Sequence, residues 1–324
     1  MSGCDRFDQL MRGVCPVLEV PFDAEGSLDH EGFDRLVAHV LGTGVTAVVC
    51  PAFASEFYKL SDEEKTSLRR QMLGHTRRHQ GALAVTGITQ HATRLAVLEA
   101  VAAVEDGADA LNVLPPFFLG PPKEEVRQHL RAVLRAVRPT PVIVQHAPGL
   151  AASALTPGDL CALAAEHPNL RMVKVEAVPP GRFISALSAA TPALPAMVGY
   201  AGVMMIDGLR RGAVGVQPGC SAVEVYQSIW RLWANGEHEA SEALHRRLLP
   251  FVSYWAQEVE LVIQVEKTIS RERGIITTDH CRDPGRPLDA EEKESVMRFL
   301  SEFAEILEEK PSRSASLAPA WPVS

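Results

Sequence analysis

The sequence predicts an α/β fold, a (β/α)8 TIM barrel with additional C-terminal helices. Two observations carry this expectation. Short β-branched runs alternate with amphipathic helical segments, the mark of parallel βαβ units. Eight such repeats fit into residues 1–222, which favours a closed barrel, and barrels of this kind run to roughly 250 residues. The chain has 324 residues. The excess is assigned to a helical extension over 223–310 packed on the barrel, and the Pro/Ser/Ala-rich 311–324, PSRSASLAPAWPVS, to a frayed tail.

The elements follow in order. The first strand-like run is Val14 to Val20, and a helix follows from about His30 to Leu41. Strand two is Ala47 to Phe53; Ser61 then caps a helix, with Glu64 three positions on completing a capping box. Strand three, Leu83 to Ile88, leads to a helix from Thr93 to Glu105. Strand four, Ala110 to Leu114, runs into the rigid PPFFLGPP loop and a helix from Lys123 to Val137. Strand five, Pro141 to Gln145, precedes a helix from Pro157 to Ala165, and strand six is Met172 to Glu176. Strands seven and eight are Ala196 to Gly199 and Ala213 to Val216, and Val223 to Glu309 reads as several helices.

Composition narrows the function. Hydrophobic residues make up 46% and charged residues 22%, as in ordinary globular proteins. The net charge of -8 leaves no cationic excess to neutralise a phosphate backbone, so nucleic acid is excluded as a partner. The first residues carry acids and no apolar stretch of signal type, and no uncharged run approaches about 18 residues, so no membrane role and a cytoplasmic location are expected. Six scattered cysteines without C-x-x-C spacing read as free thiols, with no metal site.

Chemistry in such a barrel belongs at the C-terminal strand ends. There one residue stands out. Lys174 interrupts the apolar strand NLRMVKVEAV, whereas Lys59, Lys65, Lys123, Lys267 and Lys293 fall in helices, loops or helix edges. Both faces of a parallel barrel strand are buried, so an ammonium there needs a partner or loses its proton. Desolvation favours the neutral amine, which is the form that attacks a carbonyl to make an imine. Alternation places Met172, Lys174 and Glu176 on one face, so Glu176 can pair with Lys174. A purely structural ion pair is the competing account of the same pattern.

These residues resemble the dihydrodipicolinate synthase and N-acetylneuraminate lyase family of Schiff-base barrels acting on pyruvate or related 2-oxo acids. The resemblance spans roughly Gly13 to Leu307. GVCPVLEVPFDAEGSLD is similar to the family's first strand and loop, and the GTTGE motif falls on Ala52-Phe53-Ala54-Ser55-Glu56. GITQHATR, GADALNVLPPFF and VIVQHAPG match strands three to five with their loops, the last standing for YNxPG. VKVEA matches the lysine strand, and EKTISRERGIITTDHCRDPGRPLD the K…RGI…RxP…LD segment.

The resemblance implies a class I lyase or aldolase that joins or cleaves a 2-oxo acid and an aldehyde-type acceptor. It also implies a covalent lysine imine in place of any cofactor, and a homotetramer or homodimer. Lys174 is then the imine-forming amine, with Glu176, Gln145 and His146 as catalytic candidates. Phe53, Ala54, Ser55, Glu56, Phe117, Phe118, Gly199 and Tyr200 are the substrate-binding candidates, with carboxylate binding expected at the Ala54-Ser55 turn. The departures matter as much. The family's proton relay of two tyrosines and a threonine falls on Gln145, on Phe117 or Phe118, and on Phe53 or Ala54. None of these has an ionisable hydroxyl. The arginine that follows YNxPG falls on Leu150, which argues against dihydrodipicolinate synthesis itself. The phenylalanines suggest an acceptor with an apolar or aromatic portion. A dehydratase of a 2-oxo-3-deoxy acid and a silent metabolite-binding barrel are the alternatives.

Overall fold

The computed structural model describes residues 3–79, 81–149 and 155–308; Leu150 and the 311–324 tail lie outside them. The eight strands are β1 (Gly13–Val14), β2 (Ala47–Cys50), β3 (Leu83–Ile88), β4 (Ala110–Val113), β5 (Val142–His146), β6 (Leu170–Val175), β7 (Ala196–Val198) and β8 (Gly215–Val216). They pair in parallel in the order β1-β8-β7-β6-β5-β4-β3-β2. A Val17–Val49 bridge closes the ring between β1 and β2, where Leu18 N donates to the Val49 carbonyl (2.9 Å) and Val49 N to that of Pro16 (3.0 Å). The fold is therefore the TIM barrel that the alternating pattern predicts.

Boundaries differ for local reasons. The run Val14 to Val20 yields a ladder of only two residues, because Pro16 lacks an N–H to continue it. The second strand stops at Cys50, where Pro51 likewise cannot donate. Seven barrel helices are α2 (His30–Gly42), α3 (Asp62–Arg78), α4 (Thr93–Asp106), α5 (Lys123–Ala136), α6 (Pro157–Glu166), α7 (Gly181–Ser188) and α8 (Met205–Arg210). Ser61 caps α3 reciprocally with Glu64, the two bonds being 3.2 and 2.9 Å. After β8 come α9 (Val223–Ala234), α10 (His238–Trp255), α11 (Val259–Glu272), α12 (Ala290–Glu302) and α13 (Ala304–Glu308). All six cysteines are free, and no helix among the described residues is long and apolar enough to cross a membrane.

A helix the sequence pattern leaves unassigned, α1 (Gly3–Leu10), closes the barrel's N-terminal end. Phe7 and Met11 pack with Val49, Val85, Ala110, Ile143, Met172 and Met197 in an inner apolar cluster, separate from the larger one between strands and helices. Arg6 pairs with Asp109 just before β4, and Arg171 at the start of β6 with Asp8. Strand alternation then decides what comes above this floor. Two residues beyond Ala110, Ile143 and Met172 stand Asn112, Gln145 and Lys174, all buried. The upper barrel interior is polar where such barrels ordinarily stack aliphatic layers.

Candidate active site

Lys174 reaches this interior from β6 and is only 4% exposed. Its Nζ lies 3.2 Å from Glu176 Oε1, which satisfies the burial requirement read from the sequence. Among the described residues it has no other ion-pair or hydrogen-bond partner. Glu176 is held from two further sides. Gln145 Nε2 donates to its Oε2 (2.6 Å) and the Tyr200 backbone N–H to its Oε1 (3.4 Å). Gln145 in turn accepts from Asn112 Nδ2 at 3.0 Å. The result is one hydrogen-bonded line, Asn112, Gln145, Glu176 and Lys174, crossing three adjacent strands.

Gly199 and Tyr200 serve Glu176. A Cβ on Gly199 would stand 2.3 Å from Glu176 Cγ, so only glycine leaves room for the carboxylate. Tyr200 and Ala201 both adopt left-handed backbone, at φ 53° and 50°, costly for non-glycine residues. Their turn is held by the Tyr226 hydroxyl, which donates to the Ala201 carbonyl (2.8 Å), and by His245 Nε2 at 3.0 Å from the Gly202 carbonyl.

Other candidates from the sequence are placed differently. His146 follows Gln145 and so faces the helices, where its ring stacks on Phe183 of α7 at 4.2 Å. Burial pushes its pKa down to about 4, which keeps it neutral. It is not brought to Lys174. Ser55 Oγ is consumed within its own turn, donating to the Leu18 carbonyl (2.5 Å) and accepting from Ala52 N (3.0 Å). The Glu56 carboxylate is wholly buried and occupied by Lys267, by Lys59 (3.1 Å) and by the Arg282 N–H (3.2 Å). These two residues tie the turn after β2 to its surroundings, so neither presents a free group to substrate. Phe53 and Ala54 open the single 3-10 turn Phe53–Ser55, and their N–H groups, the first two of the turn, have no carbonyl partner within it.

Phe53 and Phe117, half-buried at the ends of β2 and β4, approach edge to face at 6.3 Å, and Phe117 also meets His91 at 6.0 Å. Phe118 points outward and is 66% exposed. Sequence reasoning missed Asn112, Gln217 and Cys15, which share the polar interior. Gln217 Nε2 lies 3.9 Å from Cys15 Sγ, and burial pushes that thiol up to about 12 although the charge of Lys174 acts against the rise. A polar residue two places after Ala110 in a buried strand was the available signal for Asn112.

A profile of the dihydrodipicolinate synthetase family matches residues 10–303. The chain belongs to this family. Its members are lyases, so this is a lyase-family barrel. The chain is 27% identical over 299 residues to the 4-hydroxy-tetrahydrodipicolinate synthase of Bacillus subtilis, covering 90% of this chain and 98% of that one. It is 25% identical over 282 residues to the L-2-keto-3-deoxyarabonate dehydratase of Azospirillum brasilense, covering 84% and 88%. Among solved structures, YagE of Escherichia coli K12 in complex with pyruvate superposes with a TM-score of 0.83 at 23% identity, over 91% of this chain and 99% of that one.

Proposed function

We propose that this lyase joins or cleaves pyruvate, or a close 2-oxo acid, and an aldehyde-type acceptor through an imine on Lys174. The observation that carries the proposal is a 4%-exposed lysine at the C-terminal mouth of the barrel whose one polar partner among the described residues is a carboxylate at 3.2 Å. In the joining direction the Lys174 nitrogen attacks the C2 carbonyl and water leaves, giving an iminium. A C3 proton passes to Glu176, leaving an enamine. The enamine C3 forms the new bond to the acceptor carbonyl, whose oxygen takes a proton back, and water then releases the product from the lysine. Cleavage is the reverse. The imine supplies the electron sink, so the proposal needs no separate cofactor.

The N–H groups of Phe53 and Ala54 are the donors assigned to the substrate carboxylate, and the Phe53 and Phe117 rings select an acceptor with an apolar or aromatic portion. His146 is given no proton-transfer role. Leu95 and Leu98, exposed three residues apart on α4, are assigned to contact with a second copy of the chain in a homodimer or homotetramer, placed in the cytoplasm. The dehydratase relative favours one second reading, loss of water from a 2-oxo-3-deoxy acid on the same imine.

The test is borohydride reduction in the presence of pyruvate, followed by intact mass and peptide mapping. An adduct on Lys174 is the expected result. No adduct across a panel of 2-oxo acids overturns the proposal in favour of a silent barrel, and product analysis separates carbon–carbon chemistry from dehydration.

A further inference from the structure

The interior line that ends on Lys174 has a direction. An ionised carboxylate only accepts, so Gln145 must turn its NH2 toward Glu176 and its carbonyl toward Asn112. Asn112 must then give its own NH2 to Gln145, and its Oδ1, buried in a residue 1% exposed, is left without a donor. A buried acceptor without a partner is a cost that a purely structural amide avoids by turning over or by being aliphatic, as the floor residues below it are. Here the demand of Glu176, passed through Gln145, holds Asn112 in that state.

We propose that Asn112 is a positioning residue: acting through Gln145, it keeps an N–H donor aimed at Glu176 and so holds the carboxylate beside the Lys174 amine as the one proton carrier of the site. Amides do not exchange protons at neutral pH as acids or bases, so nothing else in the line can take the C3 proton. On enamine formation the C–H bond breaks, its electron pair becomes the C2–C3 double bond while the iminium nitrogen regains its lone pair, and the proton ends on a Glu176 oxygen. Gln145 Nε2 stays on the other oxygen throughout. This inference rests on the imine reading of Lys174 and names the group that orients its base.

The variant Asn112→Asp inverts the end of the line. Once ionised, the new carboxylate draws the Gln145 NH2 away from Glu176, which then meets the Gln145 carbonyl instead; while protonated it donates to Gln145 and leaves the line as in the parent. The readout is exchange of the pyruvate methyl protons in D2O, followed by NMR across pH, which requires imine and enamine but no acceptor. Asn112→Asp is expected to slow exchange about tenfold at neutral pH and to move its acid limb upward by about one pH unit, with little change in the pyruvate concentration for half-maximal borohydride trapping. Asn112→Leu, which frees Gln145 to point either way, shifts the limb in the same sense but less. A limb that stays at the parent position in a folded variant overturns the inference, whatever the loss of stability.

Failure of the imine reading is recognised separately. If the parent neither exchanges nor traps, the inference is judged by acetic anhydride labelling of Lys174 against pH, which needs no 2-oxo acid and must still differ between parent and Asn112→Asp. If neither variant folds, the side-chain amide resonances of Asn112 and Gln145 decide, since both must move together between the parent and Glu176→Gln, and an Asn112 resonance that stays in place rejects the coupling.

Discussion

Lys174–Glu176 and Lys267–Glu56 are both buried lysine–glutamate pairs, and they do opposite things. Lys267 on α11 is fully buried, as is its partner Glu56. Its ammonium also donates to the His280 carbonyl (2.9 Å) and lies 4.3 Å over the Phe22 ring, whose surroundings include the Arg282 guanidinium at 4.4 Å. Arg282 further bonds Glu64, the Lys59 carbonyl (2.9 Å) and the Gly26 carbonyl (2.7 Å). That lysine is saturated, and it fastens the C-terminal segment to the turn after β2. Lys174 is nearly as dry but has a single partner among the described residues, so two of its three N–H positions, or a lone pair after deprotonation, remain for chemistry. Burial alone does not mark a nucleophile; unsatisfied burial does.

Replacing each lysine by methionine gives the largest contrast. Lys267→Met leaves one oxygen of the wholly buried Glu56 carboxylate without its ammonium, Lys59 and the Arg282 N–H remaining on the other, and also cuts the tie to the His280 carbonyl; about 3 kcal/mol or more is expected to be lost in urea unfolding. Lys174→Met leaves Glu176 still bonded to Gln145 and Tyr200, so less than about 2 kcal/mol is lost while pyruvate trapping disappears. Equal stability losses in the two variants would erase the distinction.

A second contrast lies beside the saturated cluster. Glu19 is 1% exposed, neither of its oxygens has a hydrogen-bond partner among the described residues, and burial pushes its pKa up to about 8, with the Glu266 charge adding to that rise and the Lys267 charge acting against it. The folded protein therefore holds a proton there that the unfolded chain has released. Its stabilising contribution is complete below the ordinary carboxylate range and is lost as pH rises toward 8, by up to about 1.4 kcal/mol per pH unit. Glu19→Gln, which mimics the protonated form, is expected to flatten the stability profile between pH 5.5 and 8; the same slope as the parent would show that Glu19 is ionised in the fold.

Gly199→Ala is a smaller change directed at the catalytic pair. The added methyl meets Glu176, and a loss of about 1–3 kcal/mol in stability is expected, together with slowed proton exchange on pyruvate. Unchanged exchange in the folded variant would mean that Glu176 needs no fixed seat. The smallest effect is at the rim, where Phe117→Ala should lower the preference for aromatic over small aliphatic aldehydes by about tenfold in kcat/KM ratio. An unaltered ratio would remove Phe117 from acceptor selection.

Much of the barrel was legible because it is periodic. Strands β3 to β6 and the α3 capping box emerge from local alternation and cap chemistry, which tertiary contacts then reinforce. The pairing of Lys174 with Glu176, and the outward face of His146, also follow from a period of two. What the sequence concealed depends on distant partners. Lys267 sits at an unremarkable helical position, yet its burial comes from Phe22, Glu56 and the 280–282 loop, brought together only by closure of the ring. Ser55 and Glu56 resemble an anion-binding turn, but their polar atoms are claimed by Leu18 and by α11. Helix α1 is too short and too polar to announce that Phe7 and Met11 enter the barrel.

That plug has a kinetic consequence. With Phe7 and Met11 filling the lower end of the barrel, approach to Lys174 from that side is closed. A keto acid that joins the lysine therefore enters by the C-terminal mouth before the acceptor arrives above it, and the water expelled on loading has to leave past the same rim. Turnover should follow a compulsory order, first in and last out.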